Sequence, residues 1–153
     1  MIPEGQPAPG FTLKDASGKP WSLEQLRASG PVVLFFYPRD DSFGCTREAC
    51  AFRDSFSDFV DAGAEVIGVS SDSVDSHGRF ASKHNLPFQL AADPGGTVRA
   101  AYGVPSTLGV LPGRVTYVID REGVVRHVFS SQVQFGTHVE QALDVVRRLS
   151  TPV

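Results

Sequence analysis

The sequence lacks long hydrophobic runs. Its longest purely apolar stretch, residues 32–37, is far shorter than the ~20 residues that a membrane-spanning helix requires. Residues 1–5 contain neither the basic segment nor the apolar core of an export signal. We therefore expect no membrane partner and a cytoplasmic location.

An excess of positive charge is also absent, because 14 lysines and arginines face 17 acidic residues and give a net charge of -3. The arginines are scattered, so no nucleic-acid partner is expected. Hydrophobic residues at 41% and charged residues at 20% are close to globular averages and exclude disordered and fibrous proteins. A chain of 153 residues buries roughly 68–70% of its unfolded surface as one domain. We interpret residues 1–153 as a single domain.

Cysteine is scarce, since the chain has only Cys45 and Cys50. Two cysteines without an export signal do not form a disulfide framework, and a close pair in a reducing compartment is more often catalytic or metal-binding. The histidines, at positions 77, 84, 127 and 138, have no ligand spacing to these cysteines, so no metal is expected. The glycine pair at 95–96 lacks the pattern of a phosphate-binding loop.

The hydrophobic pattern alternates between strand-like and helical segments. Apolar pieces at 11–13 and 21–23 predict an edge hairpin, and the runs at 32–37, 65–70, 115–119 and 124–129 predict further strands, the last two as a hairpin. Helical spacing predicts helices at 45–60, 74–84 and 99–102, a short helix capped by Ser22 and Gln25, and a last helix capped by Thr137 and Glu140. Residues 103–113 are interpreted as a loop.

The residues expected to face the core are, in the helix at 45–60, Ala49, Phe52, Phe56, Phe59 and Val60, and in the last helix Val139, Ala142, Leu143, Val146 and Leu149. Strands that alternate with helices and end in a hairpin and a helix indicate helices on both faces of one sheet. The sequence therefore predicts an α/β protein of thioredoxin-like fold, with a mixed central sheet flanked by helices and an N-terminal hairpin.

Cys45 follows a predicted buried strand through a loop and lies in the opening turn of a predicted helix. Unpaired N–H groups and the positive end of the helix dipole favour a thiolate over a thiol there. Because the thiolate is the nucleophile, this position makes a cysteine reactive near neutral pH. Glu48 in the same turn would disfavour the thiolate if unpaired, so we expect an arginine partner for it. Asp40 and Asp41 are interpreted as a solvated turn rather than an acid–base pair.

This segment resembles the active-site loop of peroxiredoxins, and within them of the peroxiredoxin Q or bacterioferritin-comigratory-protein group. These proteins carry a Pro-x-x-x-Thr/Ser-x-x-Cys loop and a second cysteine shortly after the first, which here correspond to Pro38, Ser42, Cys45 and Cys50. The resemblance extends over nearly the whole chain.

Two positions depart from that pattern. Ser42 stands where threonine is usual, and Phe43 stands where proline is frequent. Serine keeps the hydroxyl but lacks the methyl group that restricts its rotamer. We therefore expect an effect on the rate rather than on the type of reaction.

The resemblance implies a thiol-dependent peroxidase that reduces hydrogen peroxide and organic hydroperoxides. Cys45 would attack a peroxide oxygen and become a sulfenic acid, while the Ser42 hydroxyl, the Cys45 N–H and the Arg114 guanidinium hold the peroxide oxygens. Pro38 would shield the sulfur without offering a competing N–H. Cys50 would resolve the sulfenic acid to an intramolecular disulfide, which a thioredoxin-type dithiol reduces; no cofactor is implied.

The residues themselves leave two other functions open. A non-enzymatic redox sensor would use the same cysteines but react slowly with peroxide. A thiol–disulfide oxidoreductase would usually carry Cys-x-x-Cys rather than the Cys-x4-Cys spacing found here. Peroxide consumption by the purified protein separates these functions. We expect a monomer rather than a dimer.

Helix geometry sets a condition on any disulfide between the two cysteines. On a regular helix Cys50 lies about 140° around and about 7.5 Å along the axis from Cys45, which separates their Cα atoms by roughly 8.6 Å. A disulfide needs less than ~7 Å unless the backbone moves. The sequence therefore predicts a continuous helix in the reduced state, with Cys45 against the core and Cys50 off that face. The first turn or two must unwind when the disulfide forms.

Overall fold

The computed structural model describes residues 1–107 and 111–150. Its elements are, in chain order, β1 (Thr12–Asp15), β2 (Pro20–Ser22), α1 (Leu23–Leu26), β3 (Val32–Phe36), α2 (Phe43–Asp54), α3 (Phe56–Asp61), β4 (Glu65–Ser70), α4 (Val74–His84), β5 (Gln89–Ala92), α5 (Thr97–Ala101), β6 (Ser106–Thr107), β7 (Leu111–Pro112), β8 (Val115–Ile119), β9 (Val125–Ser130) and α6 (Phe135–Ser150). Seven strands form one mixed sheet in the order β2-β1-β5-β4-β3-β8-β9. The junctions β3–β4 and β4–β5 are parallel, and the others are antiparallel.

Alternating residues of β3 separate two hydrophobic cores, because successive strand side chains point to opposite faces of a sheet. Val33 and Phe35 belong to the core formed with α2, α3, α4 and α6. Leu34 and Phe36 belong to the core formed with α1 and α5. Helices therefore cover both faces, and this explains why β3 is a continuous apolar run rather than an alternating one.

The pairing of β3 with β8 positions the residues of interest. The two strands are antiparallel and pair Phe36 with Val115. The end of β3 therefore lies beside the start of β8. The loop that leads from β3 to α2 meets Arg114, the residue directly before β8, at this end of the sheet.

The helix predicted at 45–60 is in fact two helices. It starts earlier, at Phe43, because the Ser42 side chain caps it by accepting the N–H of Cys45. It ends before Ser55, whose φ of -105° and ψ of 7° are not helical, and serine is a weak helix former. The chain continues in the separate helix α3, in which Val60 is 52% exposed rather than buried.

The last helix also begins earlier than predicted. It starts at Phe135, so Thr137 and Glu140 do not form a capping box. The Ser131 hydroxyl instead accepts two backbone N–H groups just ahead of the helix. Leu149, expected on the buried face, is 38% exposed. Within the described residues, no helix combines the length and the apolar composition needed to span a membrane.

Two further segments differ from the sequence prediction. The strand β5 is not predicted, since alanine is a weak strand former, yet it pairs with both β1 and β4. The segment 103–113, predicted as a loop, contains the antiparallel pair β6 and β7. Residues 108–110 of this segment lie outside the described residues.

Candidate active site

The sulfur of Cys45 is surrounded by hydrogen-bond donors. The residue lies in the first turn of α2 and is 1% exposed. The backbone N–H of Arg39 lies 3.5 Å from Sγ, and Nη2 of Arg114 lies 3.4 Å from it. Both groups are donors that can form hydrogen bonds with a sulfur atom or with a group bound beside it. Cys45 therefore contacts polar donors as well as the core, unlike a cysteine that packs against apolar side chains alone.

Each of the three guanidinium nitrogens of Arg114 contacts another residue. Nη1 donates to Oε1 of Glu48 at 2.9 Å, and Nε donates to the carbonyl oxygen of Gln132 at 3.2 Å. The ring of Phe135 lies 5.0 Å from Cζ, and the Arg114 side chain is only 4% exposed. The predicted arginine partner of Glu48 is thereby confirmed. The guanidinium charge is fixed at the Cys45 sulfur before any substrate binds, which is the arrangement that stabilises developing negative charge.

Glu48 is fully buried beneath Arg114. It lies in the second turn of α2 rather than the first, because the helix begins at Phe43. Burial raises the pKa of the Glu48 carboxyl to about 7, although the charge and hydrogen bond of Arg114 lower it. This carboxyl therefore changes charge near neutral pH.

Arg114 can approach α2 closely because Gly44 has no side chain. A Cβ at this position would lie 2.8 Å from Nη2 of Arg114 and 3.2 Å from the ring of Phe135. We expect Gly44→Ala to push the guanidinium away from the sulfur and, if Cys45 reacts with peroxide as the sequence predicts, to slow this reaction about 10–100-fold. Stopped-flow measurement of thiol oxidation checks this expectation.

Gly136→Ala is the matched control, since a Cβ there meets nothing within 4 Å. This variant should react at the wild-type rate. Equal rates for the Gly44 and Gly136 variants would show that the close approach of Arg114 has no effect on the sulfur.

Ser42 and Pro38 lie on the loop that faces the sulfur. The Ser42 hydroxyl accepts the N–H of Cys45 at 3.4 Å and donates to the carbonyl oxygen of Arg39 at 3.0 Å. Pro38 is half-buried and directly precedes Arg39, whose N–H contacts the sulfur. The structure thus brings Pro38, Ser42, Cys45 and Arg114 together.

Asp40 does not belong to a solvated turn, contrary to the prediction. Its side chain is 3% exposed, whereas that of Asp41 is 51% exposed. The Asp40 carboxylate is hydrogen-bonded to Tyr37 Oη (2.6 Å), Ser76 Oγ (2.8 Å) and His77 Nδ1 (2.7 Å). The chain turns at Asp41, whose φ is +60°, and Asp40 lies on the buried side of this turn against α4. Asp40 therefore anchors the loop that carries the N–H of Arg39 to the sulfur.

The same cluster has the spacing of a metal site, because Asp40, Asp72 and His77 present ligand atoms within 4.8 Å of one another. Hydrogen bonds account for this spacing. Asp72 Oδ2 accepts the backbone N–H of Asp40 at 2.8 Å and the hydroxyl of Ser70 at 2.5 Å. We therefore interpret the cluster as a structural anchor. Sequence reasoning missed it because its members come from three separate segments.

Cys50 lies on the same uninterrupted helix as Cys45. Both thiols are free, and Cys50 is half-buried while Cys45 is buried against the core. This arrangement agrees with the predicted reduced state. With helical spacing their Cα atoms are roughly 8.6 Å apart, so a bond between them requires α2 to open.

Comparison with known proteins places this geometry in a family. Residues 4–128 match the model of the AhpC/TSA family. The chain is 50% identical over 149 residues to chloroplastic peroxiredoxin Q of Sedum lineare, a match that covers 97% of this chain and 80% of that protein. It is 51% identical over 147 residues to chloroplastic peroxiredoxin Q of Arabidopsis thaliana, covering 95% of this chain and 68% of that protein.

Solved structures agree with the sequence matches. The chain is similar to peroxidoxin BcpB from Mycobacterium tuberculosis, with a TM-score of 0.91, 38% identity and coverage of 97% of this chain and 99% of that one. It is also similar to the bacterioferritin comigratory protein of Xanthomonas campestris, studied for its alkyl peroxide reduction activity, with a TM-score of 0.84, 28% identity and 92% coverage of each chain. The predicted thioredoxin-like fold is confirmed.

The expected cytoplasmic location is wrong by the same comparison, because the similar peroxiredoxin Q proteins are chloroplastic. The expectation rested on the lack of an export signal. A targeting segment is separate from the folded domain that it directs, so the composition of a folded domain does not determine the compartment.

Proposed function

The chain belongs to the AhpC/TSA family and to its peroxiredoxin Q group, and from this we propose a role for each residue of its site. It is a thiol-dependent peroxidase. Peroxiredoxins act on hydroperoxides and are recycled by thioredoxin-type reductants, which is the function that the resemblance implied.

The first step is attack by the Cys45 thiolate on one oxygen of the hydroperoxide. The S–O bond forms as the O–O bond breaks, the departing oxygen takes up a proton and leaves as water or an alcohol, and the sulfur becomes a sulfenic acid. In our proposal Arg114 stabilises the charge that builds up on the departing oxygen. The observation that carries this proposal is the position of Arg114 Nη2, 3.4 Å from Sγ, while Nη1 is fixed by Glu48.

The remaining residues of the loop have supporting roles in this proposal. The Ser42 hydroxyl and the Cys45 N–H exchange their mutual hydrogen bond for contacts with the peroxide oxygens. Pro38 excludes water from the sulfur without offering a donor. Ser42 donates to the carbonyl oxygen of Arg39, so its oxygen stays on the loop and can accept a hydrogen bond from the O–H of the hydroperoxide.

In the second step we propose that Cys50 resolves the sulfenic acid. Its sulfur attacks Sγ of Cys45, water leaves, and an intramolecular disulfide forms; a thioredoxin-type dithiol then returns two electrons and restores both thiols. The peroxide site and both cysteines come from one chain. A single copy is therefore sufficient for the reaction, and we propose that the protein acts as a monomer.

Disulfide formation is expected to unwind the start of α2. Amide hydrogen exchange across residues 44–52 should accelerate when peroxide converts the protein to the disulfide form, because the helical hydrogen bonds there must open. Cys50→Ser should be oxidised at Cys45 once, stop without further turnover, and show no such acceleration. The measurement is exchange followed by mass spectrometry under non-reducing conditions.

Two outcomes would contradict the resolving role of Cys50. One is an oxidised wild-type protein whose exchange across residues 44–52 is unchanged. The other is a disulfide found solely between two chains. The double variant Cys45→Ser/Cys50→Ser is the control, since peroxide should leave its exchange pattern unaltered.

A further inference from the structure

Glu48 and His138 are two buried titratable groups behind Arg114 that the proposed chemistry does not use directly. Both side chains are 0% exposed, and Oε2 of Glu48 lies 3.5 Å from Nδ1 of His138. Oε2 has no hydrogen-bond partner among the residues that the structure describes. A buried carboxylate oxygen without a hydrogen-bond donor raises the free energy of the folded state. The environment of Oε2 therefore favours the protonated form of Glu48.

The hydrogen bonds of His138 fix the position of its proton. Nε2 lies 2.8 Å from the carbonyl oxygen of Ser131, which can only accept, so Nε2 carries a proton. Nδ1 lies 2.8 Å from the hydroxyl of Thr116, which can donate to it. A neutral imidazole satisfies both contacts. Oε2 of Glu48 therefore faces a ring nitrogen that carries no proton, which can accept from a protonated carboxyl but cannot donate to a carboxylate.

The charge of Arg114 lowers the pKa of both groups, and burial decides which of them holds the proton. The charged or titratable groups that act on the pair are Arg114, ahead of β8, and His127, on β9. Burial lowers the pKa of His138 from 6.5 to about 4, and the charges of Arg114 and His127 also lower it, against the Ser131 hydrogen bond. Burial raises the pKa of Glu48 from 4.5 to about 7. His138 has the higher pKa of the two groups in the unfolded chain, and Glu48 has the higher pKa in the folded chain.

We propose that Glu48 and His138 hold one exchangeable proton behind Arg114, that folding moves it from the imidazole to the carboxyl, and that Glu48 is a positioning residue for the peroxide step. When Glu48 loses this proton, its charge competes with the sulfur for Arg114. When it keeps the proton, the guanidinium charge is available to the thiolate and to the departing oxygen. The second half of this proposal rests on the proposed role of Arg114.

The shared proton predicts opposite pH slopes of stability for two variants. Between pH 4.5 and 6.5 the wild-type pair binds about one proton both folded and unfolded, so it adds little slope. In Glu48→Gln, His138 binds a proton in the unfolded chain alone, so unfolding is favoured about tenfold per pH unit, relative to wild type, as the pH falls through this range. In His138→Gln, Glu48 binds a proton in the folded chain alone, and unfolding is favoured about tenfold per unit as the pH rises through it.

Urea unfolding at a series of pH values measures these slopes. Glutamine at position 138 retains an N–H that can reach the Ser131 carbonyl, and it is a good helix former. Opposite slopes relative to wild type support the shared proton. Slopes of the same sign, or none, would overturn it, whatever the activity of the protein.

The pH profile of Cys45 oxidation tests the positioning role. In the wild type, the rate constant with peroxide should fall about threefold to tenfold as Glu48 becomes charged, around pH 7. Glu48→Gln should lack this fall, and Glu140→Gln, an exposed position on α6, should keep it. A fall that persists in Glu48→Gln would overturn the positioning role. Failure of the proposed role of Arg114 can be distinguished from failure of the shared proton. In the first case Arg114→Gln would react with peroxide at the wild-type rate, while the Glu48 and His138 variants would still show opposite pH slopes of unfolding.

Discussion

Replacing Cys45 by serine is expected to abolish peroxide reduction, with a loss of more than about 10³-fold in rate. A serine hydroxyl is not ionised near neutral pH, and oxygen cannot take the place of sulfur as the atom that is oxidised to a sulfenic acid. The donors from Arg39 and Arg114 remain in this variant, so the experiment isolates the sulfur. Stopped-flow oxidation of the reduced protein by peroxide in a single turnover, without thioredoxin, is the measurement.

Cys50→Ser is the control for the Cys45 variant, because it removes a thiol from the same helix and retains the first oxidation. A Cys45→Ser protein that reacts within about tenfold of the wild type would show that another group attacks the peroxide.

Arg114→Gln is expected to slow the oxidation of Cys45 about 10²–10³-fold, because the guanidinium no longer meets the charge that develops on the departing oxygen. The effect on folding should be smaller. Without Arg114 the buried Glu48 carboxyl can take up a proton and remain neutral, since its pKa already lies at about 7 in the presence of that charge. Stopped-flow oxidation and urea unfolding of the same variant measure the two effects separately.

Arg126→Gln is the matched control for the Arg114 variant. Its ion pair with Asp120 lies on the surface, with the Arg126 side chain 47% exposed, and such pairs contribute about 0–1 kcal/mol. This variant should match the wild type in both measurements. An Arg114→Gln protein that is strongly destabilised but oxidises at the wild-type rate would assign Arg114 a purely structural role.

Much of the fold could be predicted because its signals are local. The predicted helix at 74–84 and strands at 65–70 and 115–119 are observed with the same bounds, and the capping box of Ser22 and Gln25 is present. An apolar run or a capping pair spans only a few residues, so it can be recognised in the sequence alone. In the folded protein, burial stabilises the same helix or strand that this local signal favours. The predicted first residues of α2 and α6 were wrong, because other hydrogen bonds cap these helices. The Ser42 side chain caps α2, and the Ser131 hydroxyl accepts two N–H groups just ahead of α6.

The sequence by itself determined the setting of the proposed nucleophile: a cysteine at the start of a helix after a buried strand, with a second cysteine on the same helix. Helix geometry alone also predicted that these two thiols cannot bond without unwinding. Both conclusions depend on residues close together in the chain, so the repeat of a single helix is enough to derive them.

Only the tertiary structure decided which distant residues reach the sulfur. The order of strands in the sheet places Arg114 beside the end of β3, and packing of α6 against α2 and β8 places His138 next to Glu48. The same holds for Asp40, which looks like a turn residue and is buried against His77. A hydrophobic pattern records which face of an element is buried but not which element covers it. The proton that Glu48 and His138 share in our proposal therefore depends on the fold and not on either residue alone.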